Sequence, residues 1–246
     1  MVTEETLKRV RQVKFLPENN KRLRYLSKEE CRALLDNCKG HLNAIVTFAL
    51  NTGCRRGEIL SLKWDNVDLK HGFIRLDKTK NGERRDIPIS DDLKAVLQGI
   101  TRRLDIPYVF FDSTNGAPFK DVKRSFKTAC IKAEIQKCTK CDYQKANDTT
   151  QKEIQYCPLC NSEMMVKKGI TDFHFHDLRH TFASHLVMAG VDITTVSKLL
   201  GHKSLTMTLR YAHLAPNHLQ NAVNMLNITG EEKRTAYLLH SQAGNQ

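Results

Sequence analysis

The 246-residue sequence has no apolar run approaching the about 20 residues that a membrane-crossing helix needs. Its first residues, MVTEETLKRVRQVKF, are too charged for the hydrophobic region of a secretory signal. No internal repeat is visible. Acidic residues are the scarcer charge: 27 Asp+Glu against 39 Lys+Arg leave a formal net charge of +12. These lacks argue against a helical membrane protein and a secreted one, and make a cytosolic, thiol-reducing compartment the expectation. The basic residues run from Lys8 to Lys233 rather than sitting in one tail. A distributed positive surface suits a polyanionic partner, with a generically basic protein as the plain alternative.

The pattern along the chain is mainly helical with a small antiparallel sheet, an α+β class. Residues 1–26 read as a charged lead-in. Ser27 and Glu30 are spaced as a capping box at a helix start, and AIVTFALNTG reads as a helix stopped at Gly53. RRGEILSLKW reads as a further helix. GFIRL and RRDIPIS flank Asn81-Gly82 as hairpin strands. DDLKAVLQGITRRL reads as a helix, PYVFF as a short strand and FKDVKRSFKTACIKAEI as a basic amphipathic helix. After a polar, cysteine-bounded stretch, helical patterning resumes in FHDLRHTFASHLVMAG, with Gly190 as its stop, then in ITTVSKLLG and LTMTLRYAHL. Pro216 opens a last amphipathic helix, PNHLQNAVNML, and residues 227–246 read as a loose tail.

Unusual polar residues gather beside these helix boundaries: Arg55 and Glu58 in TGCRRGE, Lys78 and Lys80 in the hairpin, His176 and Arg179 in HDLRH, His202 and Tyr211 in LLGHKSLTMTLRY. Phosphodiester cleavage without a metal needs such a set. Arginine binds phosphate oxygens in pairs and stays charged. Histidine moves protons near neutral pH. Tyrosine can hold the cut strand as a phosphotyrosine ester, conserving bond energy for resealing. His176 and Arg179, three apart on a helix, share a face. The plain readings are a solvated Arg55–Arg56 pair, structural histidines, an interface tyrosine and a surface Glu58. His180 and His185 read as packing or support residues.

TGCRRGEIL, HDLRHTFASHL and LLGHKSLTMTLRYAHL, in this order and at these separations, resemble the tyrosine recombinases, the phage-integrase family. The resemblance covers roughly residues 22–226 apart from the cysteine-rich segment. It implies a catalytic domain over 27–226, interrupted by an insertion at 137–169. Arg55 and Arg179 would clamp the scissile phosphate, His176 would take part in proton transfer and phosphate contact, and His202 would hydrogen-bond the phosphate. Tyr211 would be the nucleophile, Lys80 the general acid on the hairpin, and Glu58 a supporting acidic residue. Lys78 lies on the same strand period and competes with Lys80. The implied function is site-specific recombination through a 3′-phosphotyrosine intermediate on double-stranded DNA, with no cofactor for the chemistry and self-association as a tetramer at synapsis. A bacterial or phage-encoded source, on a mobile element, would follow. A topoisomerase-like relaxing enzyme uses the same chemistry, and a non-catalytic DNA-binding regulator that keeps the fold is the rival from another class. Residues 1–26 are too short for the N-terminal helical domain with which such enzymes complete a clamp on DNA.

Cys138, Cys141, Cys157 and Cys160 form two C-x2-C pairs fifteen residues apart, which is the spacing of a zinc ribbon. The polar residues between them offer no apolar core, so a structural zinc would organise the module. A redox dithiol or free thiols are the alternatives, and a nucleic-acid or protein adaptor is a third functional reading. The family runs without this insertion. Cys31, Cys38, Cys54 and Cys130 show no metal spacing and read as core or incidental thiols.

Overall fold

The structure is a computed structural model that describes Glu4 and residues 23–76, 84–147 and 154–216. The lead-in, Lys78, Lys80, the Asn81-Gly82 turn, the helix expected after Pro216 and the tail lie outside the described residues.

Helix α1 (Lys28–Asp36) starts at the expected capping box: Glu30 N–H donates to Ser27 Oγ at 3.1 Å and Ser27 N–H to Glu30 Oε2 at 2.9 Å. Helix α2 (His41–Thr52) buries Leu42, Ile45, Val46, Phe48 and Ala49, and so runs through the main core. It stops at Gly53, whose φ of +61° is the left-handed conformation that glycine adopts without a Cβ penalty. The expected long helix after Arg55 is short: α3 spans Arg56–Leu60, and a 3-10 turn follows at Trp64–Asn66. Leu60, Leu62 and Trp64 are all buried, a period-2 pattern that helical spacing cannot satisfy.

Strands β1 (Val67–Asp68), β2 (Phe73–Leu76) and β3 (Arg85–Pro88) form an antiparallel sheet in that order, with Leu76 opposite Arg85. Ile74, Leu76, Arg85 and Ile87 face inward. Helix α4 (Asp91–Gly99) is capped by Ser90 and ends before Ile100, short of the expected TRRL turn. PYVFF is not a strand: Tyr108 and Phe111 make only isolated bridges, to Lys63 and Pro118. Helix α5 (Lys123–Lys132) also ends early, because Glu134 opens a strand.

The cysteine-rich stretch folds as a second sheet of order β5-β4-β6: β4 (Glu134–Cys138), β5 (Gln144–Ala146) and β6 (Met164–Lys168), all antiparallel. Ile135 belongs to the main core, and Ala146 packs against it. The module is therefore rooted in the domain at its base, while Cys138, Cys157 and Met164 form a small cluster at its tip.

Helix α6 (Asp177–Met188) packs along α2, and α7 (Ile193–Leu200) is capped by Asp192 and closed by Gly201 at φ +63°. The backbone beyond α7 departs from the expected α-helix. Leu205–Met207 and Leu209–Leu214 are 3-10 turns, closed by Thr208 N–H to Leu205 O and Tyr211 N–H to Thr208 O. The β-branched Thr206 and Thr208 disfavour the α form, and Thr208 Oγ1 is tied to the ring of His202. This segment lies over a second apolar cluster of Ala183, Val187, Val196 and Leu200. No helix among the described residues is long and apolar enough to cross a membrane.

Candidate active site and cysteine cluster

Two helices end at one side chain. Arg179, on the first turn of α6, donates from Nη1 to Gly53 O and from Nη2 to Leu200 O, both at 2.6 Å. These carbonyls close α2 and α7, so the negative ends of both helix dipoles face the guanidinium. They help to offset a burial that leaves Arg179 only 4% exposed. Burial, then the neighbouring Arg55 and Arg85, bring its pKa down to about 10, which still leaves it charged at neutral pH.

Arg55 caps α3 and is fixed by the residue one turn on. Its N–H donates to Glu58 Oε2 at 2.8 Å, and its Nη1 to Glu58 Oε1 at 2.9 Å. The Arg55 side chain keeps 22% exposure, so it reaches the surface that Arg179 lies beneath. Arg56 points away to an exposed pair with Asp121 at 3.0 Å. Glu58 is shared: Arg85 Nη2 donates to its Oε2 at 2.8 Å. Burial raises the Glu58 carboxyl, but Arg85 and the bonds from Arg55 outweigh that, and the net shift is downward.

His176 precedes α6 and is exposed, while His202, just after Gly201, is half-buried with its Nδ1 2.8 Å from Thr208 Oγ1. Burial and then Arg179 lower both rings, His202 to about 4, with Arg55 and Arg210 adding to each. Both rings are therefore neutral around pH 7, in the field of the Arg179, Arg55 and Arg210 cations. Tyr211 is 1% exposed, and burial raises its phenol. Its Oη lies 2.6 Å from His180 Nδ1.

The structure thus brings Arg55, Glu58, His176, Arg179, His202 and Tyr211 into one region; Lys80 lies outside the described residues. Two participants escaped the sequence reading. Arg85 binds Glu58, donates to Leu200 O at 2.5 Å, and lies 3.6 Å from Cys54 Sγ. The available signal was an arginine at an inward strand position, in register with Ile87. His180 touches the tyrosine hydroxyl, and its i+4 spacing from His176 was the clue. His185 does act as a support, with Nε2 2.8 Å from Leu26 O. Cys38, Cys54 and Cys130 are buried thiols, as expected.

The sulfurs of Cys138, Cys141, Cys157 and Cys160 lie within 4.8 Å of one another. Neighbouring pairs are closer: Cys138–Cys160 3.4 Å, Cys141–Cys157 3.5 Å and Cys141–Cys160 3.6 Å. Ligands at about 2.3 Å from a tetrahedral zinc would be about 3.8 Å apart, so the donor set has nearly the size a metal requires. The N–H groups of Lys140 and Cys141 both point to Cys138 Sγ at 3.4 Å, a turn that favours a thiolate.

A helical domain with a small sheet, carrying paired arginines and histidines over a buried tyrosine, has the architecture of a tyrosine recombinase catalytic domain. The phage integrase family model matches residues 24–218, and the chain belongs to that family. The integrase of Salmonella phage P22 is 33% identical over 210 residues, covering 84% of this chain and 48% of the relative. The chain spans about half the length of that relative. The catalytic domain of the bacteriophage HP1 integrase is 29% identical with a TM-score of 0.56, covering 85% of this chain and 98% of that one. The Tn1549 transposon integrase, solved in complex with circular intermediate DNA, shares the fold at 20% identity and TM-score 0.57, covering 85% of this chain and 67% of that one.

Proposed function

We propose that this domain cuts and rejoins DNA as a site-specific recombinase, with Tyr211 as nucleophile. The observation that carries the reading is the convergence of Arg55, Arg179, His176 and His202 on the segment that bears Tyr211. Arg55 at the surface and Arg179 beneath it hold the non-bridging oxygens of the scissile phosphate. Fixed donors of this kind are worth several kcal/mol each in the transition state, at roughly 3 kcal/mol per donor. His202 hydrogen-bonds the phosphate, and His176 takes part in contact and proton transfer. Glu58 holds Arg55 from below. Lys80, which falls between β2 and β3 in the sequence, protonates the departing 5′ oxygen. The product is a 3′-phosphotyrosine ester and a free 5′-hydroxyl, and attack by another strand's 5′-hydroxyl completes the exchange. The chemistry uses no cofactor.

Tyr211 is 1% exposed, so the duplex must be admitted to its hydroxyl before cleavage. Double-stranded DNA is the partner that the net charge of +12 favours. A cavity of about 1220 Å³ beside His176, lined in part by Arg56, Lys123, Lys127 and Lys168, adds cations next to the site. Self-association as a tetramer on two duplexes belongs to the same reading. The four cysteines hold one structural zinc, since four thiolates close its coordination shell and leave no position for substrate.

The burial of Tyr211 favours one rival, a regulator that binds DNA without cutting it. A nicked suicide substrate separates the two. A covalent protein–DNA complex is expected, and tight binding with no covalent product would support the regulator instead. Rejoining to the same strand rather than to a partner strand would indicate a relaxing activity.

A further inference from the structure

We propose that His180 is the group that accepts the phenolic proton of Tyr211 when its oxygen attacks phosphorus. The inference rests on the assignment of Tyr211 as nucleophile. The two side chains already touch, with Tyr211 Oη 2.6 Å from His180 Nδ1. The His180 ring lies edge-on to His176, centroids 5.3 Å apart, and tilted against Tyr211 at 5.9 Å. It is therefore wedged between the exposed histidine of the site and the reacting oxygen.

The protonation states set the direction of the hydrogen bond. Burial keeps the phenol protonated. Burial and then His176, with Arg210 and Arg179 adding, bring His180 to about 4, so its ring is neutral and has a lone pair to offer. A protonated phenol beside a neutral imidazole donates its O–H to the bare Nδ1, with the ring proton on Nε2. His180 follows Arg179 on α6, so one rigid helix carries both the acceptor and a clamp of the phosphate. The anionic phosphate at Arg179 offsets the cations that disfavour an imidazolium.

The step balances. The Oη–P bond forms, the P–O5′ bond breaks, and the phenolic proton passes to His180 Nδ1. The 5′ oxygen takes its proton from the separate acid proposed at Lys80. On rejoining, the incoming 5′-hydroxyl displaces the tyrosine, and the imidazolium returns the proton to Oη.

His180→Asn tests the transfer, because the amide can occupy the place of Nδ1 and keep the hydrogen bond but cannot take a proton. Single-turnover cleavage of a suicide substrate should fall by at least about 10²-fold, the lower range of general-base effects, with DNA affinity unchanged. Replacing Tyr211 by 2,3,5-trifluorotyrosine in that variant should restore much of the rate, because a more acidic phenol needs no base; a purely structural role would not respond to acidity. His180→Gln, whose amide reaches the place of Nε2 rather than Nδ1, removes the acceptor altogether and serves as a second variant should the asparagine form not fold; cleavage should fall and the fluorinated tyrosine should again restore it. Cleavage by a folded His180→Asn at the wild-type rate, or no rescue by the fluorinated tyrosine, would overturn the inference while leaving Tyr211 as nucleophile. A wild-type adduct on a residue other than Tyr211 would overturn both.

Discussion

Arg85→Met removes the cation that joins the hairpin to the rest of the site. The methionine fills much of the same volume, so the main loss is electrostatic. Glu58 is left with a side chain only 9% exposed and one guanidinium, that of Arg55, in place of two. Leu200 O keeps Arg179 as its donor. Breaking a buried pair by removing one partner costs about 3–5 kcal/mol, and the remaining Arg55 bonds put this case near the low end. For a domain of this size, about 3 kcal/mol corresponds to a Tm lower by about 6–12 °C. The assay is thermal unfolding by circular dichroism for the wild type, Arg85→Met, Glu58→Gln and the double variant. The double variant should lose much less than the sum of the singles, because the charge stranded in each is absent from it. Glu58 has a depressed pKa when folded, so its stabilisation is present above the unfolded carboxyl value, about 4.3, and is lost as pH falls through the folded value. The gap between wild type and Arg85→Met should therefore narrow in acid. A Tm unchanged in Arg85→Met, or additive losses in the cycle, would refute the reasoning.

Gly53→Ala should destabilise by about 1–3 kcal/mol, because its φ is +61° and its Cβ would lie 2.5 Å from Phe182 Cδ1; wild-type stability in a thermal melt would contradict this. Gly57→Ala, inside α3 with nothing within 4 Å of the new Cβ, should instead gain about 0.5–1 kcal/mol in the same melt. His202 should titrate near 4 in the free domain and move upward when a phosphate neutralises Arg55 and Arg179, which an NMR titration with a short duplex reads; a free ring near the ordinary 6.5 would contradict it. Since its unfolded ring binds protons at higher pH, the stability contributed by neutral His202 is present above 6.5 and is lost as pH falls toward 4. Reduced protein expressed with zinc should carry one zinc per chain, and chelation should expose β4–β6 to hydrogen exchange first; protein free of metal would remove the structural-zinc claim.

The elements that the sequence made legible are those whose signal is local. The Ser27–Glu30 box, the Gly53 stop, the β2–β3 pairing and the Cys-x2-Cys turns each depend on residues a few positions apart. What misled lies in tertiary context. RRGEILSLKW has helix-forming residues throughout, yet burial of Leu62 and Trp64 at strand spacing ends α3 at Leu60. LTMTLRYAHL folds into 3-10 turns because Thr208 is held by His202. The site residues could be proposed from chemistry and resemblance, but Arg85 could not: its role exists only where a strand, a helix end and Glu58 meet. His180 looked like a packing residue because nothing local shows that a tyrosine hydroxyl thirty-one positions later comes to its ring.

Peptide mapping of the protein–DNA adduct trapped on a nicked suicide substrate tests the central assignment most directly. The expected adduct lies on the peptide carrying Tyr211, and Tyr211→Phe should bind the same DNA without forming it. An adduct on any other residue, or covalent complex at wild-type levels in Tyr211→Phe, would contradict the assignment.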